Sequence, residues 1–148
     1  MGRFRRILHA TDFSRASRAA FTQAVELASA NQAELTLVHV YPPVVPPLSA
    51  GTAAPEAYRA LLAEVQTRAQ KELDRLVARA QEAGIPVKGL LFEGTPHDRI
   101  IRAAKAAGAN LIVVGTHGRT GLARLFLGSV AARVVALAPC PVLTVRGT

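Results

Sequence analysis

Apolar and polar positions along this chain switch repeatedly between two periods. Arg3–Ala10, with Ile7-Leu8 at its centre, reads as a first strand. Ser14–Ala30 carries Ala20, Phe21, Ala24, Val25, Leu27 and Ala28 at helical spacing. Glu34–Tyr41 (ELTLVHVY) is rich in β-branched and aromatic residues and predicts a second strand. Pro42–Ala54 holds too much proline and glycine for regular structure and reads as a long loop. Pro55–Ala83 predicts a long helix ended by Gly84, with Tyr58, Leu61, Leu62, Val65, Ala69, Leu73, Leu76, Val77 and Ala80 on one face. Val87–Glu93 follows as a third strand. Thr95-Pro96 then has the form of an N-cap before a first-turn proline, opening a helix that carries Ile100, Ile101 and Ala104 and stops at Gly108. Leu111–Gly115 predicts a fourth strand, Val130 to Ala138 a last helix ended by Pro139, and Val142–Val145 a short fifth strand.

The order is therefore βαβαβαβαβ. Helical crossovers join parallel neighbours, and their right-handedness lets helices cover both faces of the sheet. LIVVG is apolar enough to be buried on both sides. The expectation is a doubly wound α/β fold with a five-stranded parallel sheet in the order 3-2-1-4-5. No repeat or linker divides residues 1–148, which read as one domain.

Composition narrows the function classes. No apolar run approaches the roughly 18 residues of a membrane span, and the charged start MGRFRRILHATDF is unlike a secretion signal. These features point to a soluble, cytoplasmic protein. Cys140 is the only cysteine, which excludes an intramolecular disulfide, and no His or acid beside it suggests a nucleophile. The net charge of +8 comes almost wholly from arginine. Those arginines are scattered, without a dense tract or interleaved aromatics, so a nucleic-acid interface is not indicated. His9 and His39 fall in strands, His97 at a helix start and His117 in a loop, too dispersed for a metal cluster.

The chemistry concentrates in GTHGRTGLARLFLGS, from Gly115 to Ser129. This run joins a buried strand to a helix N-terminus, where free N–H groups and the positive end of the helix dipole suit phosphate. In open α/β sheets the ligand crevice lies beyond the carboxyl ends of strands, where strand order reverses. Asp12 follows strand one, Val40 ends strand two and Gly115 ends strand four, so all three fall there. Arg119 and Arg124 are the cations within the loop. The lysine-bearing G-x4-GK-[ST] element is missing, and Lys71, Lys88 and Lys105 all lie outside the glycine loop. Binding without efficient turnover is what these residues support.

The spacing G-x2-G-x9-G-[ST] at Gly115, Gly118, Gly128 and Ser129 resembles the universal stress protein family. ILHATDFS, LTLVHV and PCPVLTVR extend that resemblance over essentially the whole chain. It implies a Rossmann-like fold of the ATP-binding branch and a regulatory or stress-adaptation role. Carried over residue by residue, it implies Ala10, Asp12 and Val40 at the adenosine end and Val114, Gly115 and Gly118 towards ribose and phosphates; Arg119, a cation within the loop, is a further candidate for the phosphates. Gly128, Ser129 and Val130 would hold the outer phosphates. Ala10 departs from the family, in which many members have proline at this position. Any Mg²⁺ would be held mainly by phosphates and water. A slow ATPase or nucleotidyl-transfer enzyme is the alternative, and a basic nucleic-acid module a weaker one. The apolar edge Val142, Leu143, Thr144, Val145 invites pairing with a second chain, and the resemblance likewise implies a homodimer.

Overall fold

The computed structural model describes residues 4–43, 54–116 and 127–147. Five strands, β1 (Arg6–Ala10), β2 (Glu34–Tyr41), β3 (Val87–Glu93), β4 (Leu111–Gly115) and β5 (Val142–Val145), form one parallel sheet in the order β3-β2-β1-β4-β5. Four helices alternate with them: α1 (Arg15–Asn31), α2 (Ala54–Glu82), α3 (Pro96–Ala107) and α4 (Ser129–Leu137). The expected doubly wound sheet is present.

Side-chain alternation along the strands builds two cores. Ile7, Leu35, Leu37, Leu111 and Val113 face α1 and α2. Leu8, Ala10, Val38, Val40, Ile112 and Val114 face α3 and α4. The central strands are apolar on both faces because helices cover both, as a parallel sheet requires. Alanines let α1 lie close to the sheet, with Ala20, Ala24 and Ala28 fully buried.

The long helix departs from its predicted face. Ala69, Leu73, Leu76 and Ala80 are buried, but Leu61 is 49% exposed and Tyr58, Leu62 and Val65 are only half-buried. Length explains this. The 29 residues of α2 span about 43 Å, whereas the eight residues of β2 span about 26 Å. The N-terminal part of the helix therefore overhangs the sheet. Where α2 does pack, it packs closely: a Cβ on Gly89 of β3 would stand 2.9 Å from Val77 Cγ2.

Helix ends follow their local chemistry. Ser14 caps α1, its Oγ accepting the Ser17 N–H at 3.2 Å. Gly108 ends α3 in the left-handed conformation that favours glycine. Thr95 is the N-cap of α3 but makes no side-chain capping bond. The last helix begins one residue before the predicted Val130, with Gly128 as its N-cap.

Candidate functional site

Strand order reverses between β1 and β4, whose register pairs Ile7 with Leu111 and His9 with Val113. Their carboxyl ends open into a cavity of about 280 Å³. Ala10, Asp12, Val40, Val114, Gly115, Gly128, Ser129 and Val130 all line it. Of the ten predicted site residues, Gly118 and Arg119 lie outside the described residues, as do His117 and Arg124. The wall also contains Thr11, Ser17, Pro96, Ile100 and Thr116, which sequence reasoning did not select. Pro96 and Ile100 were legible only as helix residues, because their place depends on α3 crossing beside β2.

The β1 end is held in a network of hydrogen bonds. Thr11 N–H donates to the Val38 carbonyl at 2.9 Å, and the His39 Nδ1–H donates to the Thr11 carbonyl at 2.7 Å. Phe13 adopts a left-handed φ of 64°, uncommon for a bulky residue. Its N–H reaches Thr11 Oγ1 at 3.0 Å and its ring lies 4.3 Å from that of His39. The reversal at Phe13 turns the chain into α1. Asp12, beside it, anchors the helix start: its Oδ1 accepts the Ser14 N–H at 2.9 Å and the Ser17 hydroxyl at 2.7 Å.

The β4 end is closed differently. Thr116 N–H donates to the Val145 carbonyl at 2.9 Å, and Gly128 N–H donates to the Thr116 carbonyl. The two ends of the glycine-rich segment therefore meet. Gly128 does not offer its own N–H to a ligand, because loop closure uses it. The remaining donors are those of Ser129 and the rest of the first turn of α4, which lack intrahelical acceptors. The Thr116 hydroxyl is buried and has no partner among the described residues.

Gly115 has a packing role as well. Its φ is not positive, but a Cβ there would stand 2.9 Å from the Ala16 carbonyl carbon and 3.0 Å from its oxygen. The bare backbone lets the first turn of α1 approach β4. Three helix N-termini border the cavity, α1 at Ser17, α3 at Pro96 and α4 at Ser129, and their dipoles favour an anion. Asp12 is the sole ionisable side chain among the described lining residues.

A larger cavity, about 690 Å³, lies between the end of β2 and α2. Of the described predicted residues it touches only Asp12 and Val40, and Glu64 and Glu72 stand on its wall beside Arg68. No helix N-terminus borders it among the described residues, so it lacks the phosphate-binding features of the smaller cavity.

His9 and Cys140 pack into the two cores, and His39 holds the end of β1. His9 is fully buried, donates from Nδ1 to the Val113 carbonyl at 2.9 Å, and packs beside Phe21. Burial pushes its pKa down from 6.5 to about 4, against the opposing pull of the carbonyl hydrogen bond and the Asp12 charge. Half-buried Cys140 packs against the α3 and α4 core, and burial raises its pKa above the usual thiol value. Among the described residues no three His, Cys, Asp or Glu side chains group as a metal site, and no helix is long and apolar enough to cross a membrane.

Comparison with known proteins agrees with this architecture. The model of the universal stress protein family matches residues 3–146. Universal stress protein YxiE of Bacillus subtilis is 36% identical over 147 residues, covering 97% of this chain and 99% of its own. The solved structure of MJ0577 from Methanocaldococcus jannaschii superposes with a TM-score of 0.83 at 26% identity, over 97% of this chain and 96% of that one. A universal stress protein solved in complex with cAMP superposes with a TM-score of 0.71 at 26% identity, over 98% of each chain. By sequence, by sheet order and by the spacing of its glycine motif, this chain belongs to the universal stress protein family.

Proposed function

We propose that this protein binds ATP at the carboxyl ends of β1 and β4 and acts as a nucleotide-dependent regulatory protein in stress adaptation. The observation that carries the reading is one cavity bringing together Asp12, Val40, Gly115 and the N-terminus of α4 at Ser129. The first turn of α4 offers N–H donors and a hydroxyl to the outer phosphates. Ala10 and Val40 offer apolar walls to adenine, the Val40 backbone can supply main-chain hydrogen bonds, and Val114 lies towards the ribose and phosphates. Gly118 and Arg119 complete the proposed set from the loop. The cAMP complex of a relative supports an adenine nucleotide as the ligand class.

Mg²⁺ would enter with the phosphates. Asp12 is the one carboxylate among the described lining residues, so most of the coordination falls to phosphate oxygens and water. The glycine-rich segment lacks the G-x4-GK-[ST] lysine that stabilises a leaving phosphate, which supports slow or absent hydrolysis.

The chain pairs through β5. This edge strand carries no charge, whereas the opposite edge, β3, holds Lys88 and Glu93. Charges guard an edge against pairing. Exposed Leu127, Val130, Val135 and Leu137 add apolar surface on and beside α4.

Calorimetry with ATP and AMP tests the nucleotide reading. ATP is expected to bind more tightly, because the α4 N-terminus addresses the outer phosphates. Equal affinities would remove the phosphate-anchoring role of Ser129.

A further inference from the structure

Ser17 and Asp12 hold each other by two hydrogen bonds. The Ser17 hydroxyl donates to Asp12 Oδ1 at 2.7 Å, and its oxygen accepts the Asp12 N–H at 3.2 Å. Ser17 is 5% exposed, and its own N–H is bound to Ser14 Oγ at 3.2 Å. A hydroxyl has one proton, and here that proton is committed to the carboxylate. The Ser14 N–H reaches the same Oδ1 at 2.9 Å. Two donors on one oxygen fix the carboxylate plane, and both come from the rigid start of α1. Ser17 stands on the cavity wall one turn into that helix, beneath the residue it orients.

We propose that Ser17 is a positioning residue that aims the Asp12 carboxylate at the sugar hydroxyls of the bound nucleotide. The inference rests on the nucleotide-binding reading above. An ionised carboxylate only accepts hydrogen bonds, so the ligand groups it selects are donors. A ribose presents two hydroxyl donors, whereas a triphosphate presents acceptors and like charge. Asp12 therefore belongs with the sugar, and the α4 N-terminus, which borders the same cavity, with the phosphates. Ser17 controls sugar recognition through the direction of Asp12.

The test compares ATP with 2′,3′-dideoxy-ATP, titrated calorimetrically into wild type, Ser17→Ala, Ser17→Cys, Asp12→Asn and the Asp12→Asn/Ser17→Ala double variant. The readout is the ratio of the two affinities. Loss of folded protein leaves that ratio unchanged, because both ligands meet the same folded fraction. Wild type is expected to favour ATP about tenfold or more, the scale of a hydrogen bond to a charged group. Ser17→Ala is expected to bring the ratio close to one. Ser17→Cys keeps the size with a much weaker donor and should do the same, which covers an alanine variant too unstable to measure. The double variant should fall no further than Asp12→Asn alone. A Ser17→Ala protein that keeps the wild-type ratio overturns the inference while leaving nucleotide binding intact. A wild type that binds both ligands equally well also overturns it. A wild type that binds neither overturns the nucleotide reading and the inference together.

Discussion

Acid should destabilise this protein through one residue, His9. Its ring is fully buried in β1, with Nδ1–H on the Val113 carbonyl and with no partner for Nε2 among the described residues. Charging the ring requires a proton on Nε2 inside an apolar core. The folded pKa is accordingly depressed from 6.5 to about 4. The sign follows from which state binds the proton. Between these two values the unfolded chain is protonated and the native chain is not, so acid favours unfolding. The stability is fully present above pH 6.5, declines as pH falls towards 4, and changes no further through His9 below that. At about 1.4 kcal/mol per pH unit, the whole interval is worth about 3 kcal/mol, a large part of the 5–15 kcal/mol typical of a domain. Urea unfolding followed by circular dichroism at pH 7 and at pH 4 measures it. His9→Gln can still donate to Val113 but does not titrate. Carboxylates that titrate near pH 4 contribute to both proteins and cancel in the comparison. Wild type is expected to lose about 3 kcal/mol more than the variant between the two pH values. Parallel stability profiles would refute the assignment of an unprotonated buried His9.

Gly115→Ala should lower stability by about 1–3 kcal/mol in thermal or urea melts, since its Cβ would press on the Ala16 backbone; an unchanged midpoint would mean that the α1 contact is not tight. Gly128→Val should fold nearly normally, because a φ of −59° suits any residue, yet lose ATP in a binding titration through the side chain placed at the α4 N-terminus; normal ATP affinity would count against phosphate binding there. Purified protein should hydrolyse ATP far below the median enzyme rate of about 10 per second, and a rate near that value, lost on mutation of His117 or Arg124, would favour the enzymatic alternative. Light scattering after size exclusion should give a dimer mass that Leu143→Asp shifts towards monomer, and a monomeric wild type at micromolar concentration would remove the β5 pairing.

Much of the fold was legible along the chain because the two hydrophobic periods leave little ambiguity. The bounds of β2, β3, β4 and β5 match the sequence reading, since each strand is a short segment rich in apolar residues, with a proline or glycine close to at least one end. The glycine spacing from Gly115 to Ser129 likewise marked a segment whose described ends, at Gly115 and at Gly128-Ser129, border the cavity, because a strand–loop–helix junction has a local signature. Tertiary structure decided the rest. The buried extent of α2 depends on the length of the strands beneath it, which its own periodicity does not contain. Gly115 turned out to accommodate Ala16, and the Gly128 N–H closes the loop on Thr116, because partners distant in sequence meet only when β1, β4 and α1 come together. Ser17 carried no chemical signal as the third residue of a helix. Its role arises from the left-handed turn at Phe13, which brings the Asp12 carboxylate back over the first turn of α1. Local pattern determines which elements form, since propensity and periodicity act within a few residues. The cavity and the direction of each side chain in it are set by packing between elements, where the contacts are long-range.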